Sequence, residues 1–314
     1  MVDLEDIIDG QCVCVTGGSG FIGSHLAEVL SKHNEVRVID DFSTGKRENL
    51  KGLEVQLTRG SILDPELLQE IFEGVDYVFH EAALPSVQGS LKDPVSSNVV
   101  NVDGTLNVLV AARDARVKKL VFASSSSVYG DSPTLPKVET LPPMPLSPYA
   151  VSKLTGEHYC RVFWAEYGLP TVALRYFNVY GPRQNLELQY AAVIPNFISS
   201  VKAGKPLVIF GDGNQTRDFV YVLDAVQATL LSAAKPESNG EVFNVASGEK
   251  ITINQLAQVV LRKTGVENSI RYCPRRKGDV LHSQANIEKI GRLGYSPRFP
   301  IQQGIENTVL AMIQ

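Results

Sequence analysis

Residues 16–23 read TGGSGFIG, and this stretch stands between a hydrophobic run, QCVCVT at 11–16, and an amphipathic run that continues to residue 33. The first run predicts a buried parallel strand and the second a helix. The glycines allow a tight turn, a close approach of the backbone to a pyrophosphate, and packing of the helix on the strand. The free N–H groups of the first helical turn then face an anion. The stretch therefore predicts a dinucleotide-binding turn built on Gly17, Gly18, Gly20 and Gly23.

An acidic residue follows at the spacing that such a turn requires. The next hydrophobic run, EVRVIDDF, ends in Asp40, which lies about twenty residues after Gly20. A carboxylate there accepts a hydrogen bond from a ribose hydroxyl and repels a phosphorylated ribose, which favours NAD over NADP. Asp41 can share that role, because the sequence does not fix where the strand ends.

Strand and helix patterns continue to alternate beyond this point. VQLTRGSI predicts a third strand, and DPELLQEIFEG predicts a helix with Asp64 as its N-cap and Pro65 in its first turn. VDYVFHEAA, at 75–83, predicts a fourth strand ending in two small residues, Ala82 and Ala83, against which a cofactor can lie. A long helix is predicted from 93 to about 116. The alternation predicts an α/β fold with a doubly wound parallel sheet, that is, a Rossmann fold.

The stretch SPYAVSK, at 147–153, brings a phenol and an amine together. Tyr149 and Lys153 are four residues apart, so both side chains lie on one face of a helix. Lowering a phenol pKa from about 10 to near 7 requires ~4 kcal/mol. An ammonium ~4 Å away, at an effective dielectric of ~20, supplies about that much. Ser125 ends a predicted strand 24 residues before Tyr149, where its hydroxyl can share the proton of a substrate hydroxyl.

Composition narrows the class of protein. The chain has 314 residues, of which 44% are hydrophobic and 20% charged, as is typical of a globular protein with a large core. A net charge of −4 and a pI near 5.8 argue against a nucleic acid or an anionic membrane as partner. No apolar stretch approaches the ~20 residues of a membrane span. The N-terminus is acidic where a signal peptide is basic, so we expect a cytoplasmic protein.

The cysteines and histidines predict no metal site. The four cysteines have neither metal-ligand spacing nor a disulfide framework, and the five histidines form no cluster. Cys12 and Cys14 lie two apart in a predicted strand, so we expect them to pack on one side of it.

Together, TGGSGFIG, Ser125 and the Tyr-x-x-x-Lys pair resemble the extended short-chain dehydrogenase/reductases. Within them the chain is most similar, nearly from end to end, to the nucleotide-sugar 4-epimerases that act on UDP-N-acetylglucosamine or UDP-glucose. The resemblance implies tightly held NAD and inversion of carbon 4 of a UDP-hexose through a 4-keto intermediate. It makes Ser125, Tyr149 and Lys153 the catalytic residues, with Tyr149 taking the proton of the 4-hydroxyl.

The resemblance also implies two sets of binding residues. Many relatives have an aspartate that reaches the adenine where this chain has Ser61, and Arg217 and Arg276 match arginines that bind the diphosphate. The implied NAD set is Gly17, Gly20, Phe21, Ile22, Gly23, Asp40, Asp41, Ser61, Ile62, Ala82, Ala83, Asn101, Tyr149 and Lys153. The implied UDP-sugar set is Ser86, Ser125, Ser126, Asn178, Val193, Arg217, Arg276, Asp279 and Ser283.

Beyond about residue 180 the pattern loosens, which predicts a smaller mixed α/β substrate lobe. A helix at about 222–234 and the strand EVFNVA are expected to return to the first domain. We therefore assign residues 1–177 plus about 216–246 to the NAD-binding domain, and about 178–215 plus 247–314 to the UDP-sugar lobe. Homodimers are usual among relatives, through two helices that here lie near 93–116 and 149–167.

Three alternatives share the fold. A UDP-glucuronate-type 4-epimerase uses the same chemistry. Sugar-nucleotide 4,6-dehydratases and decarboxylases carry an acidic residue where this chain has Ser126 and Ser127, and a hydroxyl cannot replace a carboxylate in acid–base catalysis. A non-enzymatic NAD sensor usually loses the Tyr-x-x-x-Lys pair, which is present here.

Ser283 is small where some galactose epimerases have a tyrosine, so we expect N-acetylated UDP-hexosamines to be substrates, with room for the non-acetylated sugars.

Overall fold

The computed structural model describes residues 3–185, 192–265, 269–275 and 281–313. The strands in these ranges are β1 (Cys12–Thr16), β2 (Glu35–Asp40), β3 (Gln56–Arg59), β4 (Tyr77–His80), β5 (Lys119–Ser125), β6 (Thr171–Tyr176), β7 (Val179–Tyr180), β8 (Leu207–Phe210), β9 (Thr216–Arg217), β10 (Val220–Tyr221), β11 (Glu241–Val245), β12 (Ile251–Thr252) and β13 (Ile270–Cys273). The helices are α1 (Phe21–Leu30), α2 (Pro65–Phe72), α3 (Val87–Lys92), α4 (Pro94–Asn98), α5 (Gly104–Asp114), α6 (Pro148–Tyr167), α7 (Val193–Lys202), α8 (Val222–Ala234), α9 (Ile253–Thr264), α10 (Glu288–Gly291) and α11 (Ile301–Ile313).

The central sheet is parallel throughout. Within the described ranges it has seven strands in the order β11-β6-β5-β4-β1-β2-β3. Helices α1 and α8 pack on one face through one apolar cluster, and α2, α5 and α6 pack on the other face through a second. Cys14 is buried in the second cluster and Cys12 packs beside it, as expected. The predicted doubly wound Rossmann sheet is confirmed.

Local sequence signals explain where the helices begin. The Asp64 carboxylate accepts a hydrogen bond from the Leu67 N–H and caps α2, whose first residue is Pro65. The Ser147 hydroxyl accepts from the Ala150 N–H and caps α6. Helix α6 ends at Gly168, which has a φ of +68° and so occupies the left-handed region that glycine favours.

The predicted helix from 93 to about 116 is observed, but it is not regular. Helices α4 and α5 are joined by a π-helical turn, Val99–Asp103. A π turn inserts one extra residue and often occurs at functional sites. Asn101 lies in this turn with its side chain buried rather than facing solvent.

The segments beyond residue 178 build a separate apolar cluster from α7, α9 and α11. Three two-stranded pairs, β7 with β10, β9 with β12 and β8 with β13, accompany these helices. The predicted helix at 222–234 is observed as α8, and the strand EVFNVA is observed as β11 beside β6. No helix in the described part of the chain is both long and apolar enough to cross a membrane.

Candidate active site

The predicted catalytic residues meet where β5 ends beside α6. Ser125 is the last residue of β5, and its side chain forms a hydrogen bond with that of Tyr149. Tyr149 lies in the first turn of α6, and its N–H donates to the Ser90 hydroxyl at 3.1 Å. Lys153 lies one turn further along, and its Nζ is 5.9 Å from the centre of the Tyr149 ring. The spacing in the sequence therefore does bring the phenol, the ammonium and the serine together.

Lys153 is held by the sheet rather than by the phenol. Its Nζ donates to the Ala123 carbonyl oxygen at 2.8 Å and lies 5.0 Å from the centre of the Phe122 ring. Burial lowers the pKa of Lys153 to about 8, although the nearby Glu81 carboxylate opposes that change. The hydrogen bond therefore holds the ammonium in place, and burial makes the ammonium lose its proton more easily.

The surroundings of Tyr149 act on its acidity in both directions. Burial raises the pKa of the Tyr149 phenol above its usual value, the hydrogen bond from Ser125 lowers it, and the charge of Glu81 raises it further. Desolvation opposes the charged form of a buried group, and the spacing of two residues does not reveal it. That Lys153 and the nicotinamide together make Tyr149 a usable base stays a prediction.

The predicted dinucleotide-binding turn joins β1 to α1 and forms one wall of a cleft. Gly17 has a φ of +69°, and a Cβ there would lie 2.7 Å from the backbone of Ala82. A Cβ on Gly23 would lie 2.4 Å from the Gly17 oxygen. Only glycine fits these positions, so the backbone of this turn is open to a phosphate. The cleft walls fit a dinucleotide.

Strand β2 ends at Asp40, so the structure gives the strand end that the sequence did not fix. The buried Asp40 carboxylate accepts from the N–H groups of Ser19 and Phe42, each at 2.8 Å. Burial raises the pKa of Asp40, and these two hydrogen bonds oppose the change. Asp41 is exposed and accepts from the Ser43 N–H at 2.8 Å. Both acids line the cleft.

Most of the implied NAD set lines this one cleft. The lining residues from that set are Gly17, Gly20, Phe21, Ile22, Gly23, Asp40, Asp41, Ser61, Ile62, Ala82 and Ala83. Asn101 lies behind the cleft, where its amide donates to the Leu84 carbonyl oxygen and the Ser152 hydroxyl and its Oδ1 accepts from the Leu84 N–H. These contacts join α6 to the loop after β4, so Asn101 supports the wall rather than lining it.

Several polar residues that were not singled out in the sequence line the same cleft, among them Lys46, Asn49, Arg183 and Glu81. Lys46 and Asn49 follow Asp41 within a few residues, so their position in the sequence could have indicated that they line this cleft. Arg183 lies in the loop after β7 and donates to the Glu28 carboxylate at 2.6 Å, a contact that no local pattern indicates. Glu81 directly precedes Ala82 and gave no motif of its own.

A second cleft adjoins the catalytic residues on their other side. From the implied UDP-sugar set it is lined, together with Tyr149, by Ser86, Ser125, Ser126, Asn178, Arg217 and Ser283. Val193 lies at the start of α7 in a neighbouring cavity that Asn178 and Arg217 also line. Arg276 and Asp279 lie outside the described residues.

The Asp218 carboxylate connects its own segment near the second cleft to the segments at 247–248 and 285 through hydrogen bonds. Asp218 is fully buried, and it accepts hydrogen bonds from the Ser247 N–H and hydroxyl and from the N–H groups of Gly248 and Ala285. Burial raises the pKa of Asp218 to about 6, while these hydrogen bonds lower it. The Ser283 N–H donates to the Thr216 oxygen at 3.1 Å. Arg217 and Ser283 thus belong to one connected framework.

A parallel sheet with a glycine-lined dinucleotide cleft and a serine, tyrosine and lysine beside it defines a nucleotide-dependent enzyme of the extended short-chain dehydrogenase/reductase class. The family model described as NAD dependent epimerase/dehydratase matches residues 13–246. The chain belongs to this family, as the resemblance implied.

Solved structures and curated relatives agree with that placement. A UDP-N-acetylglucosamine 4-epimerase from Methanobrevibacter ruminantium, solved with UDP-N-acetylmuramic acid, is 41% identical, with 98% of this chain and 99% of that chain covered and a TM-score of 0.94. A Thermus thermophilus UDP-glucose 4-epimerase solved with NAD is 39% identical, covers 96% and 98%, and has a TM-score of 0.88. A putative UDP-glucose 4-epimerase of Methanocaldococcus jannaschii is 37% identical, covering 95% of this chain and 97% of the relative.

Proposed function

We propose that this protein inverts carbon 4 of a UDP-hexose with NAD as a bound cofactor. The observation that carries the proposal is that Ser125 and Tyr149 line a polar cleft with Arg217, and that this cleft shares Pro85 with the glycine-lined nucleotide cleft. Lys153 lies one turn along α6 from Tyr149. An enzyme that oxidises and then reduces one sugar carbon requires a base at the junction of two such clefts. Resemblance at 37–41% identity to UDP-sugar 4-epimerases supports the same reaction.

Each catalytic side chain has one role in this reaction. Tyr149, as the phenolate, takes the proton of the sugar 4-hydroxyl and later returns it. The Ser125 hydroxyl donates to the oxygen of the 4-keto sugar and stabilises its developing charge. Lys153 provides positive charge beside the phenol. When bound, NAD would supply a reversible hydride acceptor for carbon 4 and a positive charge in addition to that of Lys153.

The residues of the nucleotide cleft are assigned to NAD. The turn from Gly17 to Gly23 would hold the pyrophosphate against the N-terminus of α1. Asp40 would accept from the adenosine ribose, Ser61 and Ile62 would lie beside the adenine, and Ala82 and Ala83 would lie beside the remaining part of the cofactor. Residues 1–177 plus about 216–246 form the NAD-binding domain in this proposal.

The second cleft is assigned to the UDP-sugar. Arg217, with Arg276, would bind the diphosphate, since guanidinium groups bind phosphate oxygens bidentately. The diphosphate then acts as a tether about which the 4-keto sugar turns to present its opposite face. Ser283 would lie near carbon 2, where a small side chain leaves space for an N-acetyl group. The UDP-sugar lobe is then about 178–215 plus 247–314.

The described residues that line the second cleft include no carboxylate. Dehydration and decarboxylation need an extra acid or base beside the ketone, and Ser126 and Ser127 stand where relatives that catalyse those reactions carry acidic residues. A UDP-glucuronate-type 4-epimerase remains the second candidate, because the cleft wall combines these serines with Lys137, a cation that suits an acidic sugar.

We further propose a homodimer formed through the helices near 93–116 and 149–167, which correspond to α4, α5 and α6. Leu91, just before this region, and Val95 on α4 are exposed at 55% and 70%, and Val151 and Val162 are exposed on α6. Apolar side chains in such numbers on neighbouring helices favour a protein interface.

Incubating the purified protein with UDP-glucose, UDP-N-acetylglucosamine and their uronic acids, followed by product analysis, tests the function. Conversion of a UDP-sugar to its 4-epimer supports it, and Tyr149→Phe should abolish conversion. Lys153→Met should reduce turnover far more than it weakens UDP-sugar binding. Loss of water or carbon dioxide from the sugar would instead identify one of the rivals.

A further inference from the structure

A part-buried hydrogen bond joins the two clefts. The Tyr176 hydroxyl donates to the Glu81 carboxylate at 3.0 Å. Tyr176 lines the second cleft and Glu81 lines the nucleotide cleft, so this contact spans the wall between them. The Tyr176 hydroxyl also forms a hydrogen bond with the Thr229 hydroxyl on α8, at 2.7 Å. The catalytic roles assigned above use none of these three side chains.

We propose that Glu81 is a positioning residue whose negative charge sets the acidity of both members of the catalytic pair, the Tyr149 phenol and the Lys153 ammonium. The inference rests on the proposed role of Tyr149 as the base. Glu81 directly follows β4, and the neighbouring strand β5 supplies Ala123, which accepts from Lys153, and Ser125, which is hydrogen-bonded to Tyr149. A carboxylate at that place disfavours proton loss from the phenol and from the ammonium. Glu81 therefore fixes the pH range in which the phenolate and the ammonium coexist.

The electrostatics of the site agree with this geometry. Burial raises the pKa of Glu81 to about 7, while Tyr176 and Lys153 oppose the change. The charge of Glu81 raises the pKa of Tyr149 and that of Lys153. Burial thus moves the titration of this carboxyl from the acid range towards neutral pH.

The other groups around Glu81 do not replace its charge. On β6, burial raises the Tyr176 pKa well above its usual value, so this phenol stays neutral. On β4, burial lowers the pKa of His80 to about 3, and the imidazole lies between the hydroxyls of Thr16 and Thr105. Helix α8 contributes only the Thr229 hydroxyl, and β1 contributes the Thr16 oxygen to the Glu81 N–H. Elsewhere in the cleft, Asp40 is bound by two N–H groups and Arg183 pairs with Glu28.

The first test is the pH profile of Glu81→Gln, which keeps an oxygen for the Tyr176 hydroxyl and removes the charge. Both limbs of the kcat/KM profile should move to lower pH by about one unit, because one negative charge has left both acids. Glu66→Gln, the same change at an exposed position on α2, should leave the profile in place. A lower rate with both limbs unmoved would show that Glu81 is only structural, and would overturn the proposal.

Tyr176→Phe tests the same idea without removing the carboxylate, and decides it should Glu81→Gln fail to fold. Losing the hydrogen bond raises the pKa of Glu81, so the carboxyl is neutral at higher pH and the acidic limb should move to lower pH. An unmoved acidic limb would contradict the proposal.

Phenolate absorbance gives a readout that needs no substrate. The Tyr149 contribution is the difference between the ultraviolet pH titrations of a protein and its Tyr149→Phe variant. With Glu81→Gln this contribution should titrate at lower pH than with Glu81 present. An unchanged titration would contradict the role of Glu81 even if the protein epimerises sugars, and a shifted one would support it even if the proposed substrate is wrong.

Discussion

The Asn178 side-chain amide donates to the backbone oxygen of Asp218 at 2.8 Å, while the Asp218 carboxylate accepts from residues 247, 248 and 285. Asn178 has a φ of +34°, a conformation that non-glycine residues seldom adopt and that this hydrogen bond stabilises. Two residues that line the second cleft, Asn178 and Ser283, are thus positioned by one residue that does not line it.

We predict that Asp218→Asn weakens UDP-sugar binding without removing NAD. An amide replaces one acceptor oxygen by an NH2 group, which faces N–H donors and costs about 1–3 kcal/mol. The KM for the UDP-sugar should rise roughly tenfold or more. Steady-state kinetics and the amount of bound NAD check this, with exposed Asp212→Asn as the control. Unchanged KM, or loss of NAD in parallel, would contradict the assignment.

The cofactor bound to purified protein should be NAD(H). The Asp40 carboxylate is buried in the cleft, so a 2′-phosphate would face like charge. Denaturing the protein and separating the released nucleotides measures the ratio directly. Recovery of NADP would show that Asp40 does not select the cofactor.

Ser283→Tyr should exclude N-acetylated substrates. A tyrosine ring would fill the space that the serine leaves in the second cleft, so activity on UDP-N-acetylglucosamine should be lost while UDP-galactose is still converted. Ser283→Ala is the matched control and should retain both activities. Full activity of the tyrosine variant on the acetylated sugar would show that Ser283 is not the gate.

We predict that the buried His80 lowers the free energy of unfolding as the pH falls. Burial lowers the His80 pKa from 6.5 to about 3, so the folded imidazole stays neutral while the unfolded one takes up a proton below about pH 6.5. The stability present above that pH is therefore lost as pH falls, by up to about 1.4 kcal/mol per unit from this group. Denaturant unfolding at several pH values should show a shallower acid dependence for His80→Gln than for the parent or for exposed His33→Gln. Equal slopes would contradict this.

Features fixed by local chemistry were predictable from the sequence. The turn at 16–23, the Asp64 cap and the register of Tyr149 and Lys153 each depend on residues a few positions apart. The π turn that directs Asn101 inward was not predictable, because its contacts come from Leu84 and Ser152. The effect of burial on the pKa of Tyr149 was not predictable for the same reason, since burial depends on the whole fold. Arg183 reaches the nucleotide cleft only through the tertiary structure.

In the proposed reaction, hydrogen leaves carbon 4 as hydride and returns to the same carbon. Supplying UDP-N-acetylglucosamine with deuterium at carbon 4 and analysing the UDP-N-acetylgalactosamine product by NMR and mass spectrometry tests this directly. The product should keep its deuterium at carbon 4, and unlabelled substrate in D2O should gain none there. Loss of the label to solvent, or no 4-epimer from any UDP-sugar, would contradict it.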